Sequence, residues 1–242
     1  IIAIVVVEAP ACRLAFFPDA PSLNIGLTVL WIAAMTNAFN FLDNMDGLAA
    51  GLGSIVLFLL ALFAVEMQLY MLAKLGIGLA AALTGFLVFN FPPAKIFLGD
   101  AGGLMVGFVV GVISVAMLHG AAVAPIETDL KPQNLAPLVP LVVPLYDLVS
   151  VIVIRLHRRA YPWVGDHNHI SHRLVRQGMS RRGAVLAIYL ISLLTSAPIL
   201  LLDFLPPVSG WILVLFAPAI ALGTAVLEIS RTNSEKPESH HG

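Results

Sequence analysis

The sequence predicts an all-α fold, a polytopic integral membrane bundle of about eight transmembrane helices. Apolar residues make up 59% of the chain and charged residues 11%, with a mean hydropathy of +0.95, whereas about a quarter of an average soluble domain is charged. Apolar runs of about 20 residues recur, and a helix of that length crosses the hydrocarbon core while satisfying its own backbone hydrogen bonds. Turn-forming and helix-breaking residues gather between the runs, as in loops that join helices.

The predicted spans follow one another through mostly short connections. The first has no initiator Met, basic segment or cleavage site before it, so we expect the protein's N-terminal helices to be missing from this chain. Residues 1–228 are predicted to form one transmembrane domain, incomplete at its N-terminus, and residues 229–242 a polar, disordered cytoplasmic tail. The predicted spans are 1–17, 25–42, 52–66 (a short one), 70–90, 102–121, 136–154, 184–202 and 209–228.

Positive charges predict the orientation, since cytoplasmic loops retain Lys and Arg. If the first span runs outward, one face holds most of these residues and the opposite face receives Lys74 and Lys131. All polar clusters then face the cytoplasm. The net charge of −1 offers no electrostatic footprint for nucleic acid. The predicted cytoplasmic cations are Lys95, Arg155, Arg158, Arg159, Arg173, Arg176, Arg181, Arg182, Arg231 and Lys236.

The first polar cluster is "NAFNFLDNMDGLAAG", at the end of the second predicted span. Asp43 and Asp46 are three residues apart, so on a continued helix they share a face with Asn40. Carboxylates at a bilayer interface are costly unless they are paired or bind a ligand. Capping of the next helix explains one aspartate, but it does not explain both together with Asn37 and Asn40. A binding function is therefore favoured.

The second cluster is "NFPPAKIFLGDAGG", where Asn90 ends one span and Asp100 begins the next. Glycines beside a helix N-terminus leave backbone N–H groups open to a phosphate. The carboxylate of Asp100 is a hard oxygen ligand suited to Mg²⁺. The alternative is an N-cap aspartate followed by glycines that serve helix packing, and this motif alone does not decide between them.

The third cluster is "GDHNHISHRL", which contains Asp166, His167, His169, His172 and Arg173. Two histidines three residues apart could bind zinc, but no cysteine lies near and the third ligand would be awkwardly spaced. Alternatively, the imidazoles and arginine contact phosphate oxygens. A merely solvated basic loop explains the arginines but not three histidines.

Asp147 lies within the sixth predicted span. An ionisable group at that depth faces the bundle or a cavity. Two interpretations remain open: Asp147 lines the active cleft, or it pairs with a buried partner.

Together, the three clusters resemble the polyprenyl-phosphate N-acetylhexosamine-1-phosphate transferases. The histidine segment is more similar to the branch that transfers GlcNAc-1-phosphate to undecaprenyl phosphate. The resemblance implies a UDP-N-acetylhexosamine donor, a polyprenyl phosphate acceptor in the bilayer, release of UMP, and Mg²⁺ as cofactor, with Mn²⁺ as a substitute. It also implies a location in a bacterial cytoplasmic (inner) membrane. The product would start a cell-envelope polysaccharide such as lipopolysaccharide or teichoic acid, and a homodimer is compatible with the sequence.

The resemblance also implies individual roles. Asp100 would bind the metal, and Asp43 would lie near the phosphates. Asn90, Phe97 and Asp46 would contact uridine, with Phe97 stacking on the base. The predicted catalytic residues are Asp43, Asp100 (also the metal ligand), His169 and His172, and the predicted substrate-binding residues are Asn37, Asn40, Asp46, Asn90, Phe97, Asp166, His167 and Arg173.

The chain departs from the family pattern in three ways. It contains no Asp-Asp pair, and we expect that pair upstream. Asn44 replaces a usual glycine, and a left-handed Asn would preserve the turn. Ser171 stands where histidine is common, and His167 stands where arginine is common. Three alternatives stay open: a phospho-MurNAc-pentapeptide transferase, a cation-coupled transporter and an inactive scaffold. A transporter would place its acids near the midplane, often in repeated halves.

Overall fold

The computed structural model describes residues 13–17, 19–123, 131–157 and 169–234, and the regular elements in these ranges are all helical. Six helical segments there are long and apolar enough to cross a membrane, and a shorter apolar helix covers Pro207–Ala221. The predicted all-α polytopic bundle is confirmed. The helices are α1 (Pro21–Leu42), α2 (Leu48–Glu66), α3 (Tyr70–Asn90), α4 (Gly99–Val123), α5 (Pro132–Leu135), α6 (Val142–His157), α7 (Ile170–Arg176), α8 (Arg181–Ser196) and α9 (Pro207–Ser234), with 3₁₀ helices at Ala136–Leu141 and Ala197–Phe204.

Several helix boundaries differ from the prediction for local reasons. Pro21 stands in the first turn of α1, where a missing N–H costs nothing, so α1 begins before residue 25. The Ser180 hydroxyl accepts a hydrogen bond of 3.1 Å from the Gly183 N–H, and this N-cap starts α8 before residue 184. The sixth predicted span is a composite of α5, a 3₁₀ helix and α6.

The two ends of the prediction are only partly described. Most of the predicted first span lies outside the described residues, and residues 13–17 at its end are not helical. At the other end, α9 continues to Ser234, into the predicted tail. The rest of that tail lies outside the described residues.

Helix α2 forms the centre of the bundle. It is apolar on all sides, and 72% of its apolar membrane-spanning stretch is buried inside the bundle. It packs against α3, α4 and α8. Beside it, α1 packs against α4 through glycine. A Cβ added at Gly107 would lie 2.3 Å from the Met35 carbonyl oxygen. Small residues permit such close approach between membrane helices.

This packing brings three polar segments to one end of the bundle. Residues 43–47 join α1 to α2, residues 91–98 join α3 to α4, and α7 follows α6 and leads into α8. Hydrogen bonds connect all three segments. The predicted convergence of the polar clusters is therefore present in the fold.

Candidate active site

The loop over residues 43–47 reverses the chain between α1 and α2. The Asp43 N–H bonds to the Asn40 carbonyl oxygen at 3.3 Å, and the Asn44 amide donates to the Phe41 carbonyl oxygen at 2.6 Å. Gly47 takes a φ of 77° just before α2, a left-handed angle that glycine adopts without steric cost. Asn44 is not left-handed, since Gln68 is the non-glycine residue with positive φ in the described chain. The expectation of a left-handed Asn44 was wrong, because its side chain instead satisfies the end of α1.

The Gly47 peptide is held by two distant side chains. Its N–H donates to Asn90 Oδ1 at 3.1 Å, and its carbonyl oxygen accepts a hydrogen bond from the Tyr189 hydroxyl of α8. Gly51 leaves room for this tyrosine, because a Cβ there would lie 1.8 Å from the phenol oxygen. The turn is thus fastened to α3 on one side and to α8 on the other.

The loop over residues 91–98 is joined to the first loop by side-chain to backbone bonds. Asp46 Oδ2 accepts the Ala94 N–H at 3.0 Å. The buried Asn90 amide, 3% exposed, donates to the Ile96 carbonyl oxygen at 2.8 Å. Arg182 Nε donates to the Pro92 carbonyl oxygen at 2.8 Å. Asp46 and Asn90, two predicted uridine-binding residues, therefore shape the loops in this structure.

Phe97, the third predicted uridine contact, stands at the outer part of the same loop. Its side chain is 74% exposed. An exposed aromatic ring beside a polar loop offers one open face for stacking. Its role as a stacking residue stays a prediction.

Carboxylates from two motifs meet where the first loop approaches the start of α4. The Gly99 N–H hydrogen-bonds to the half-buried Asp43 carboxylate, and Asp100 and Asp46 lie close enough to repel its charge. Burial, and secondarily the charges of Asp100 and Asp46, raise the pKa of Asp43 above its usual value despite the Gly99 hydrogen bond. Neighbouring carboxylates of this kind attract a cation.

This arrangement fits Mg²⁺ held jointly by protein and substrate. Among the described residues, no group of three or more His, Cys, Asp or Glu converges to hold a metal ion alone. Mg²⁺ is commonly bound by one or two carboxylates, with substrate phosphates and water completing its shell. Asp100 is exposed at the start of α4, and Asp43 lies beside it. Nearby, Asn40 Oδ1 is a buried oxygen that no described residue hydrogen-bonds, so a further oxygen donor faces Gly103 of α4.

The histidine segment places its two described histidines in different surroundings. His169 precedes α7 in an extended conformation and its Nδ1 lies 2.7 Å from Asp147 Oδ2. His172 instead lines a cavity of 130 Å³ together with Asp46 and Arg181. Between them, Ser171 donates to Asn44 Oδ1 at 2.6 Å. The segment therefore contacts the first loop through Ser171, and the two histidines do not act as one helical pair.

The remaining predicted residues are spread over the structure. Arg173 Nη2 lies 3.3 Å from the Tyr146 hydroxyl and 3.3 Å from Ser150 Oγ, so it is directed towards α6. Asn37 is exposed on α1, and its amide donates to the Ala33 carbonyl oxygen at 2.7 Å. Asp166 and His167 lie outside the described residues.

Comparison with known proteins connects this geometry to one family. Residues 1–118 match the family described as glycosyl transferase family 4. The chain is 38% identical over 170 residues to the probable undecaprenyl-phosphate N-acetylglucosaminyl 1-phosphate transferase of Bacillus subtilis (strain 168), over 70% of this chain and 46% of that protein. It is 36% identical over 185 residues to the decaprenyl-phosphate N-acetylglucosaminephosphotransferase of Mycolicibacterium smegmatis, over 69% of this chain and 44% of that protein. The predicted family resemblance is confirmed.

The extent of the match varies among the transferases. The chain is 44% identical over 100 residues to the phospho-N-acetylmuramoyl-pentapeptide-transferase of Clostridium beijerinckii, over 39% of this chain and 31% of that protein. The two N-acetylglucosaminyl transferases match a longer part of this chain. This agrees with the branch of the family that the histidine segment indicates. The chain spans about half the length of the curated relatives it matches.

Some residues that build this site were not predicted from the sequence. Tyr189 lies in the apolar run of α8, where a tyrosine facing the core has no distinguishing signal. Arg182 was interpreted as a positive charge on the cytoplasmic side, yet it holds the Pro92 carbonyl group. Asp147 was left between two interpretations, and its bond to His169 shows the buried pair.

Proposed function

We propose that the protein transfers N-acetylhexosamine-1-phosphate, most readily GlcNAc-1-phosphate, from a UDP-sugar to a polyprenyl phosphate and releases UMP. An oxygen of the lipid phosphate becomes bonded to the phosphorus that carries the sugar. The bond from that phosphorus to the UMP oxygen breaks, and UMP leaves with the electron pair. The product is a lipid-linked diphosphate sugar.

The observation that carries this proposal is the meeting of Asp43 and the Gly99–Asp100 turn. The N–H of Gly99 contacts the Asp43 carboxylate, and Asp100 lies beside it. Two acids beside a helix N-terminus support the binding of a pyrophosphate and its cation at this position. When bound, Mg²⁺ would neutralise phosphate charge during the transfer. Asp100, with Asp43 beside it, would hold the metal.

A groove near the histidine segment supports a lipid co-substrate. It has a volume of 440 Å³ and lies between α6, α7, α8 and α9. Its lining is mostly apolar, and its polar members are Tyr146, Arg173, Gln177 and Thr195. A polyprenyl phosphate has the same combination of an apolar isoprenoid chain and a polar, charged phosphate group. The Lys and Arg distribution supports a site that faces the cytoplasm.

The test is release of UMP from UDP-GlcNAc by membranes that contain the protein, expressed from its complete reading frame, and a polyprenyl phosphate. We expect release that requires both the lipid and Mg²⁺. Asp100→Asn should lower the rate by at least about 100-fold, as expected when one charge-stabilising group is lost. Asp19→Asn is the matched control, since Asp19 is exposed before α1, at the opposite end from Asp43.

Other outcomes favour other functions. Release from UDP-MurNAc-pentapeptide but not from UDP-GlcNAc would favour the muramyl branch, to which the match with the Clostridium beijerinckii protein points. No release with either donor from folded protein would contradict transferase activity and favour the scaffold or transporter. Full activity of Asp100→Asn would disprove the metal role of Asp100.

A further inference from the structure

Asp147 is a buried carboxylate to which the proposed transfer assigns no role. It lies in α6 with 0% of its surface exposed, and the cost of burying a charge is high unless donors surround it. Two polar groups contact it: His169 Nδ1 lies 2.7 Å from Oδ2, and the Ile170 N–H donates to Oδ1 at 2.7 Å. One carboxylate thus contacts both the imidazole and the backbone at the start of α7.

These contacts indicate which ring nitrogen of neutral His169 carries the proton. The Ile170 N–H can only donate, so Asp147 acts as an acceptor there. An ionised carboxylate that also accepts from an Nδ1–H gives a charge-assisted hydrogen bond. A bond at one ring nitrogen sets the tautomer and defines the role of the other. We therefore assign the proton of neutral His169 to Nδ1, which leaves the Nε2 lone pair on the opposite edge of the ring.

The oriented ring lies beside the loop that carries Asp43. The centroids of the His169 and Phe41 rings are 6.1 Å apart in an edge-to-face arrangement, and Phe41 belongs to the last turn of α1. The next residue but one after His169, Ser171, bonds to Asn44 of the same loop. With 5% of its surface exposed, His169 has little room to turn.

We propose that Asp147 is a positioning residue for the transfer: it fixes the tautomer and ring angle of His169, so that Nε2 faces the phosphates beside the Asp43 loop. This inference rests on the proposed function. It assigns Asp147 an effect that passes through His169 alone.

The test compares Asp147→Asn, His169→Gln and the double variant in the UMP-release assay. The amide introduced by Asp147→Asn keeps an oxygen acceptor for the Ile170 N–H, so the start of α7 is preserved. Its NH₂ group makes an Nδ1–H unfavourable and favours the Nε2–H tautomer. We expect kcat to fall by about 100-fold, within the range for general acid–base groups, with the KM for UDP-GlcNAc changed less than about twofold. Asp203→Asn, on an exposed residue of the Ala197–Phe204 helix, is the matched control.

Two readouts separate positioning from a structural role. If Asp147 acts through His169, the double variant should be no slower than His169→Gln, whereas an independent structural role would lower kcat in both backgrounds. In addition, ¹⁵N NMR of histidine-labelled protein, with His169→Gln to assign the signal, should show Nδ1–H in the wild type and Nε2–H in Asp147→Asn.

Each contrary result overturns one proposal. A further large loss of kcat in the double variant, or unchanged kcat in Asp147→Asn, would overturn the positioning role. A wild-type His169 with an unprotonated Nδ1 would overturn it even without an activity measurement. Wild-type membranes that release no UMP would instead overturn the proposed function, and the NMR signal would still decide the tautomer assignment.

Discussion

The middle of the bundle and its loop end are held together by different interactions. Between α1 and α4, backbones touch where glycine removes the side chain, as at Gly107 against Met35 and Thr36. At the loop end, polar groups from distant parts of the chain bond to backbone groups, as Asn90 and Tyr189 do at Gly47. Close packing therefore sets the helix positions, and hydrogen bonds set the shape of the loops.

This difference has a functional consequence. A tightly packed helix pair leaves no room for a ligand, whereas the loops expose carboxylates around a turn of defined shape. The bundle can then act as a rigid frame for a site that the loops supply, a common division between scaffold and function. Substitutions in the two regions should have different effects on stability and activity.

The largest effect on stability is expected from Gly107→Ala. A Cβ at this position would lie 2.3 Å from the Met35 carbonyl oxygen and 2.7 Å from Thr36 Cα, and these backbone atoms cannot rotate away. Overpacking of this kind costs about 3 kcal/mol, so Tm should fall by about 10 °C in thermal unfolding of the purified protein.

Gly78→Ala in α3 is the matched control, because nothing lies within 4 Å of its added Cβ. It should leave Tm unchanged or raise it slightly, since alanine favours a helix by up to about 1 kcal/mol. Equal Tm values for the two variants would show that contact of α1 with α4 does not depend on glycine.

A smaller effect on stability is expected from Tyr189→Phe at the loop end. The variant loses the hydroxyl that bonds to the Gly47 carbonyl oxygen, but that oxygen still accepts the Gly51 N–H at 2.9 Å. The cost should be about 1 kcal/mol, a fall in Tm of about 3 °C. Because the Asp43 turn is loosened, UMP release should fall by about 10-fold.

Tyr70→Phe provides the comparison, since Tyr70 is 58% exposed at the start of α3. It should change neither Tm nor the rate. If Tyr189→Phe lowers Tm but leaves the rate intact, the hydroxyl supports the fold and has no part in shaping the site.

The smallest effect on stability, with the opposite sign, is expected from Asp43→Asn. Burial raises the pKa of Asp43 in the folded protein. The ionised carboxylate therefore destabilises the folded state at pH values above this raised pKa, and the destabilisation disappears below pH 3.8, the ordinary pKa of the group. The substituted asparagine keeps an acceptor for the Gly99 N–H. Tm should therefore rise by less than about 3 °C at neutral pH, while UMP release is lost.

A pH series of Tm values checks the cause. The difference in Tm between Asp43→Asn and the wild type should become smaller as pH falls towards 4, because the wild-type carboxyl becomes protonated. A gap that stays constant with pH would exclude the charge of Asp43 as its origin.

The sequence predicts the helices better than the loops, for a physical reason. The length of an apolar run decides whether a segment can span a membrane. The predicted span 70–90 accordingly coincides with α3. Local signals such as Ser180 and Gly47 explain the shifted ends of neighbouring helices. The meeting of Asp43 with the start of α4 could also be expected, because alternation of spans and the Lys and Arg asymmetry place these motifs on one side.

The bonds inside the site could not be predicted in the same way. That Asn90 joins Gly47 to Ile96 depends on the relative height and rotation of three helices, which no periodicity records. Asp147 could be recognised as an unusual buried acid, but its partner is separated from it by 22 residues. The assigned roles of Asp100, Phe97 and His172 stay predictions, and the Asp100→Asn assay tests the first of them.

The bond between Tyr189 and Gly47 also bears on how the protein is made. The two residues are separated by 142 positions, and ribosomes add about 5–20 residues per second. The loop over residues 43–47 is therefore synthesised well before Tyr189, whose hydroxyl bonds to it. Helix α8 must be inserted into the membrane before that bond can form. Nascent chains that end before α8 should accordingly contain inserted helices and an unfinished turn, so assembly of this end of the molecule is a late event in its biogenesis.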